Sequence, residues 1–206
     1  MLTVTDNCFF GAAFKHKSSS EIIQPEELLK QHKNKQFFMS KNTTILVSIQ
    51  NHTLLLEIIK LLMESKIKNI YIYISSFNER SFTLADSGII ILSGKIHPQK
   101  VMAIINHTQK KQELPVVKLT KITARDWTIL VCLFRGLDNK IISTLFNISE
   151  KAISGRVNLA CSKLKIPFWN RPKKISTLEM FFTIYHIRNN EGKKDEDPNL
   201  KMMCAS

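Results

Sequence analysis

The stretch GLDNKIISTLFNISEKAISGRVNLACSKLKI, Gly136 to Ile166, decides how the second half of this chain is read. Two capping signals divide it: Asp138 and Ser149 each precede an apolar-periodic run, where a short side-chain oxygen can accept an unpaired backbone N–H. Gly136 can turn left-handed and so end a preceding helix. In the first run, Ile142 and Leu145 are expected to point inward. In the second, Ile153, Val157, Ala160 and Leu164 fall at i, i+4, i+7 and i+11, the buried stripe of an amphipathic helix. Lys151, Gly155, Asn158 and Ser162 repeat that spacing on the outer face, which is thin, polar and free of acids, with Arg156 and Lys163 flanking it. An exposed helical glycine costs about 1 kcal/mol against alanine, and its missing side chain helps where something must come close.

The pattern extends both ways. Upstream, Thr123-Ala124-Arg125-Asp126 has the form of a capping box, and Trp127, Leu130, Val131 and Phe134 follow as an apolar stripe. Downstream, STLEMFFTIYHI is apolar on nearly every side. A fully buried helix would look the same, but a four-helix module is too small to surround one, so a dimer contact through Leu178, Phe181, Phe182 and Tyr185 is the leading expectation.

Charge points the same way. Lys and Arg outnumber Asp and Glu by 30 to 17 in 206 residues, a net charge of +13, which argues for a polyanionic partner. Between Leu119 and Arg188 stand twelve basic and four acidic residues, so a net +8 lies on the helical half. The major groove of DNA admits an α-helix; short polar side chains reach base edges while Arg and Lys take phosphates. The four cysteines, Cys8, Cys132, Cys161 and Cys204, form no close pair, which fits neither zinc nor a disulfide framework and suits a reducing cytosol. No apolar run approaches the ~18 residues of a membrane span, and no signal peptide opens the chain. A cytoplasmic protein without metal, cofactor or small-molecule ligand is expected.

From Ile122 to Ile166 the sequence resembles, without a gap, the LuxR-type (FixJ/NarL-type) helix-turn-helix of bacterial transcription regulators. That pattern runs roughly L-T-x-R-E-x-E-V-L, G-L-S-N-K-E-I-A, I-S-x-x-T-V-K-x-H and K-L-G-V. Thr123, Arg125, Leu130, Gly136, Leu137, Asn139, Lys140, Ile142, Leu145, Ile148, Ser149, Lys163 and Leu164 match it as they stand. The resemblance implies a DNA-reading helix with Ser154, Gly155 and Asn158 toward the bases and Lys151 near its start. It also implies phosphate contacts from Lys140, Arg156 and Lys163, and a last helix that pairs protomers so that two half-sites lie about one DNA turn apart. Three positions depart: Ser154 stands where the family has Lys, Arg156 where it has His, and Ile141 where it has an acid. The operator sequence therefore does not carry over.

The first half alternates strand and helix patterns: LTVTDN, CFFGAAFKHK, PEELLKQHK, TTILVSI, TLLLEIIKLLMESK, NIYIYISS, GIIILSG and HPQKVMAIINHT. Alternation of this kind means a mostly parallel sheet with helices packed on it; any strand between Ser18 and Ser40 must be short. In order and length this half resembles a shortened receiver domain. A receiver ends strand one in an acidic pair, strand three in the phosphoacceptor Asp, strand four in Ser or Thr and strand five in Lys, and its acids hold Mg²⁺. Here Asp6-Asn7 keeps one acid, Ser48 stands in the phosphoacceptor position, Ser75 or Ser76 supplies the hydroxyl, and Lys95 and Pro98 follow in frame. A serine cannot form the acyl phosphate, so aspartate phosphorylation is not expected.

The expected organisation is a receiver-like α/β domain over 1–110, a linker over 111–118, an all-α four-helix LuxR-type domain over 119–188 and a disordered tail over 189–206. The combination resembles enteric accessory regulators of capsule, acid-resistance and fimbrial genes, some of which heterodimerise with an intact response regulator. A regulator that binds double-stranded DNA as a homodimer, or with another LuxR-type response regulator, is the leading expectation. The alternative is an antagonist that binds another regulator without reading DNA. An enzyme is not expected, because no nucleophile has an evident base and no glycine-rich loop could cradle a phosphate.

Overall fold

The computed structural model describes residues 1–15, 20–34, 40–75, 77, 79–85, 87–109, 114–167 and 170–192, without the side chains of 15, 107–109 and 189–192. Five parallel strands form most of one sheet: β1 (Leu2–Thr5), β2 (Glu21–Ile23), β3 (Thr44–Ser48), β4 (Asn69–Ile74) and β6 (Ile90–Ser93). The short strand expected between Ser18 and Ser40 is β2. Two further strands, β5 (Phe82–Leu84) and β7 (Val116–Val117), extend the sheet, whose order is β2-β1-β3-β4-β6-β5-β7. β5 runs antiparallel to β6, with Gly88 at φ 70° in the turn between them, and β7 pairs parallel with β5.

Period-two alternation sends successive side chains to opposite faces. Leu46, Tyr71, Tyr73 and Leu92 face Phe10 and Phe14 of α1 (Cys8–Lys15) and Val101 and Ile105 of α4 (Pro98–Gln109). Val4, Ile45, Val47, Ile70, Ile72 and Ile91 face the other way, toward α2 (Pro25–Lys33) and α3 (His52–Glu64). Strands buried on both faces read as continuous apolar runs, as TILVS and NIYIYI do. Gly94, just beyond β6, has no room for a side chain: a Cβ there would lie 1.9 Å from the Ser75 carbonyl oxygen.

The second half is helical: α5 (Ala124–Phe134), α6 (Asn139–Phe146), α7 (Glu150–Lys163) and α8 (Arg171–Gly192), entered through a 3-10 turn at Leu119–Lys121. Thr123, Asp138 and Ser149 cap α5, α6 and α7 through their side-chain oxygens. Gly136 takes φ 77° after α5, and Leu137 N–H then reaches back to the Cys132 carbonyl, closing the helix end. Ile142 is fully buried, but Leu145 is 64% exposed, so the inward orientation expected for Leu145 does not hold. Residues 142 and 145 point only about 60° apart around the helix, but the short α6 buries a narrow arc on α5 and α7 that takes in Ile142 and leaves Leu145 outside it. Cys132 and Cys161 are buried as core fillers, and burial pushes the Cys161 thiol up to about 11.

The two halves share one core. Within the expected linker, Val116–Val117 is a sheet strand: Thr83 N–H donates to the Pro115 carbonyl and Ala85 N–H to the Val117 carbonyl. α8 packs along α3, and Leu178, Phe181 and Ile184 have no exposed surface. The Phe181 ring meets Phe82 of β5 edge-on at 6.1 Å, while Phe182 and Tyr185 lie 5.3 and 5.7 Å from Trp127 of α5. His52 and Glu179 join α3 to α8 at 2.8 Å. Of the α8 surface expected to meet a second protomer, Leu178 and Phe181 are thus covered by this chain's own α3, β5 and α5, and Phe182 and Tyr185 are half-buried, because the sheet half supplies a surface that a lone four-helix module lacks. The backbone of α8 is helical to Gly192; the rest of the expected tail, 193–206, and Ser76 and Cys204 lie outside the described residues. Removing a fully buried aromatic ring costs about 3–5 kcal/mol. Phe181→Ala is therefore expected to lower stability by about that much in urea unfolding, with near-UV signals of both halves lost in one transition.

Candidate functional site

α7 is held on three sides, by α5, α6 and α8, and its fourth side is open. Ile153, Val157, Ala160, Cys161 and Leu164 are buried, whereas Lys151, Ser154, Gly155, Asn158 and Ser162 are exposed. Nothing lies within 4 Å of where a Gly155 Cβ would stand, so the outer face leaves the backbone accessible there. The three-residue turn 147–149, with Asn147 left-handed at φ 50°, sets the start of α7 beside the end of α6.

The flanks of this face differ. On one, Arg156 forms an ion pair with Asp126 of α5. The Thr123 hydroxyl donates to Asp126 Oδ2 at 2.7 Å and accepts from the Asp126 backbone N–H at 3.1 Å. Lys163 Nζ on the same flank donates to the Lys121 carbonyl at 3.0 Å. Arg156 and Lys163, expected at phosphates, are thus engaged within the chain and could meet a phosphate only by leaving or sharing these bonds. On the other flank, Lys174 of α8 donates to Asn158 Oδ1 at 2.8 Å, and Arg171 donates to Asn139 Oδ1 at the start of α6. Lys140 and Lys151 are exposed at the helix starts. Sequence reasoning left out Arg171 and Lys174; the run Arg171-Pro172-Lys173-Lys174 was the available signal, but only folding brings it beside Asn158.

A second candidate lies where the parallel strands end. A cleft of about 240 Å³ is lined by residues that include Asn7, Ser48, Gln50, Tyr73, Ser75 and Pro98. Asp6, which is not among the lining residues, accepts from the Gln50 N–H at 2.8 Å and the Asn51 N–H at 2.9 Å, fixing the loop into α3. Asn7 accepts from Phe9 and Phe10 N–H groups and caps α1. Ser48 is buried, its carbonyl accepting from the Thr5 hydroxyl at 2.7 Å, and Lys95 is exposed outside the cleft lining. Among the described residues no three His, Cys, Asp or Glu side chains gather as metal ligands, and no helix is long and apolar enough to cross a membrane.

Burial alone would push the Asp126 carboxyl up, but the Thr123 hydroxyl and the Arg156 guanidinium, with the Lys163 charge, outweigh it and hold the group below the usual carboxylate range. A depressed carboxylate stabilises the fold above its unfolded pKa, and that contribution is lost as pH falls through the folded one. Arg156→Ala is expected to cost about 1–3 kcal/mol at pH 7, since a nearly buried carboxylate loses its charged partner. In urea unfolding at successive pH values the gap to wild type should close below the ordinary Asp pKa of about 3.9. No protein-family model matches the chain, and no curated protein is significantly similar to it.

Proposed function

We propose that this chain is a sequence-specific DNA-binding transcription regulator that works without phosphorylation, presenting α7 to the major groove. The observation that carries this reading is the open outer face of α7, acid-free along Lys151, Ser154, Gly155, Asn158 and Ser162 and anchored from behind by three helices. An α-helix fits the major groove with such a face toward the base edges, and Gly155 allows close approach. Lys140, near the start of α6, and Lys151, at the N-terminal edge of that stripe where it leaves the base-facing part, would take phosphates on either side of the turn. The resemblance of Ile122–Ile166 to the LuxR-type helix-turn-helix agrees with this placement.

The sheet half is read as a receiver-like domain whose chemistry has lapsed. The order β2-β1-β3-β4-β6 of its five parallel strands is the doubly wound order in which ligands gather at the strand ends. There Ser48 cannot become an acyl phosphate, and the Asp6 carboxylate is already bound by two backbone amides. The connection from β4 to β6 runs through the short β5 instead of a helix, a departure from the receiver pattern. Pairing, as a homodimer or with a response regulator, would use a surface other than Leu178 and Phe181.

The antagonist reading has one observation in its favour: Ile141 and Leu145, one turn apart on α6, are 52% and 64% exposed. Exposed apolar side chains so placed fit a protein surface better than a phosphate backbone.

Titrating duplex DNA with the full chain at several salt concentrations tests the proposal. Lys140→Ala or Lys151→Ala is expected to weaken binding on every sequence and to make the log–log salt slope shallower by about 1, one phosphate contact each. Wild-type affinity and slope in both variants, or no binding by the wild type, would turn the reading toward the antagonist.

A further inference from the structure

The contact between Lys174 and Asn158 carries a consequence for which base α7 selects. Lys174 Nζ stands 2.8 Å from Asn158 Oδ1. An ammonium has three donors and no acceptor, so only the oxygen of the amide can face it. The Asn158 NH₂ is therefore turned away from Lys174. The arrangement is built on fixed backbone: Asn170 Oδ1 accepts from the Lys173 N–H at 3.2 Å at the start of α8, Arg171 ties that turn to Asn139 of α6, and α8 packs on α7.

A free asparagine reads adenine with both ends of its amide, accepting from N6–H₂ and donating to N7. An oxygen already facing an ammonium serves that pairing poorly, because adenine's N6 amino group would bring a second donor against a positive charge. Guanine offers only acceptors, O6 and N7, on the same edge, and these suit an NH₂ donor beside a cation. We propose that Lys174 is a positioning residue that turns Asn158 into a donor-only reader and makes guanine, not adenine, its preferred base. This rests on the reading of α7 as the groove-facing helix.

Selection of bound duplexes from a randomised pool tests it, using the full chain as wild type, Asn158→Ala, Lys174→Met and Lys174→Arg. The wild type is expected to enrich a motif in which one guanine disappears with Asn158→Ala while the other positions persist. At that position Lys174→Met should move the guanine-to-adenine ratio toward adenine by about tenfold, within the discrimination of one bidentate pair. Lys174→Arg, which is also donor-only, should keep guanine. If Lys174→Met keeps guanine and only binds every sequence less tightly, Lys174 is a phosphate contact alone and the inference fails while the DNA-reading function stands. If Asn158→Ala changes no position of the wild-type motif, Asn158 is not a reader and the inference fails likewise. If the wild type enriches no motif, the DNA-reading function itself falls, and the inference with it.

Discussion

Phe181 lies wholly buried with its ring edge against Phe82 of the sheet, and Leu178 and Ile184 are buried with it where α8 meets α3 and the rest of the helical half. Burial of apolar side chains is the main favourable term in folding, about 1.5–3 kcal/mol for each large one. The same helix turns Phe182 and Tyr185 toward Trp127, so one element serves both the sheet half and α5. Everything downstream of the sheet takes its position from this shared core: α5 and α7 pack on α8, and α6 packs on both of them. The helical half is thereby fixed to the sheet instead of hanging from it on a free connection.

Within that frame, polar groups at both candidate sites act as fasteners. Asp6 holds the loop into α3, Asn7 starts α1, and Asp126 ties α5 to α7 through Arg156. At the strand ends the Asp6 and Asn7 side chains are bound to this chain's own backbone N–H groups. On α7 the reverse holds: the outer stripe is left open while its edges are secured.

How much of this could be read from residues alone depended on distance along the chain. TILVS and NIYIYI announced themselves because both faces of a central strand are buried, and Thr123, Asp138, Gly136 and Ser149 marked helix ends by local hydrogen bonding. β5 and β7 escaped notice: FTL and VV are too short to show a period, and pairing partners alone make them strands. Leu145 matched a pattern of apolar spacing, yet α6 is too short to bury that side of itself. The partners of Arg156 and Lys174, 30 and 16 positions away, are set by packing, which no local spacing encodes. The cover over α8 did leave a trace. From Leu54 to Met63 the apolar residues of α3 span too wide an arc for a helix lying on a sheet alone, and that breadth marks a second neighbour.

That second neighbour arrives late. His52 on α3 and Glu179 on α8 are 127 positions apart. At about 5–20 residues per second of synthesis, roughly 6–25 s pass between them. During that interval the sheet half leaves the ribosome with the outer side of α3 uncovered, whereas β5 waits for β7 only over the 33 positions from Leu84 to Val117, roughly 2–7 s. The nascent chain thus carries an apolar helix face for longer than a small domain needs to fold, the state in which association with other nascent chains competes with its own completion.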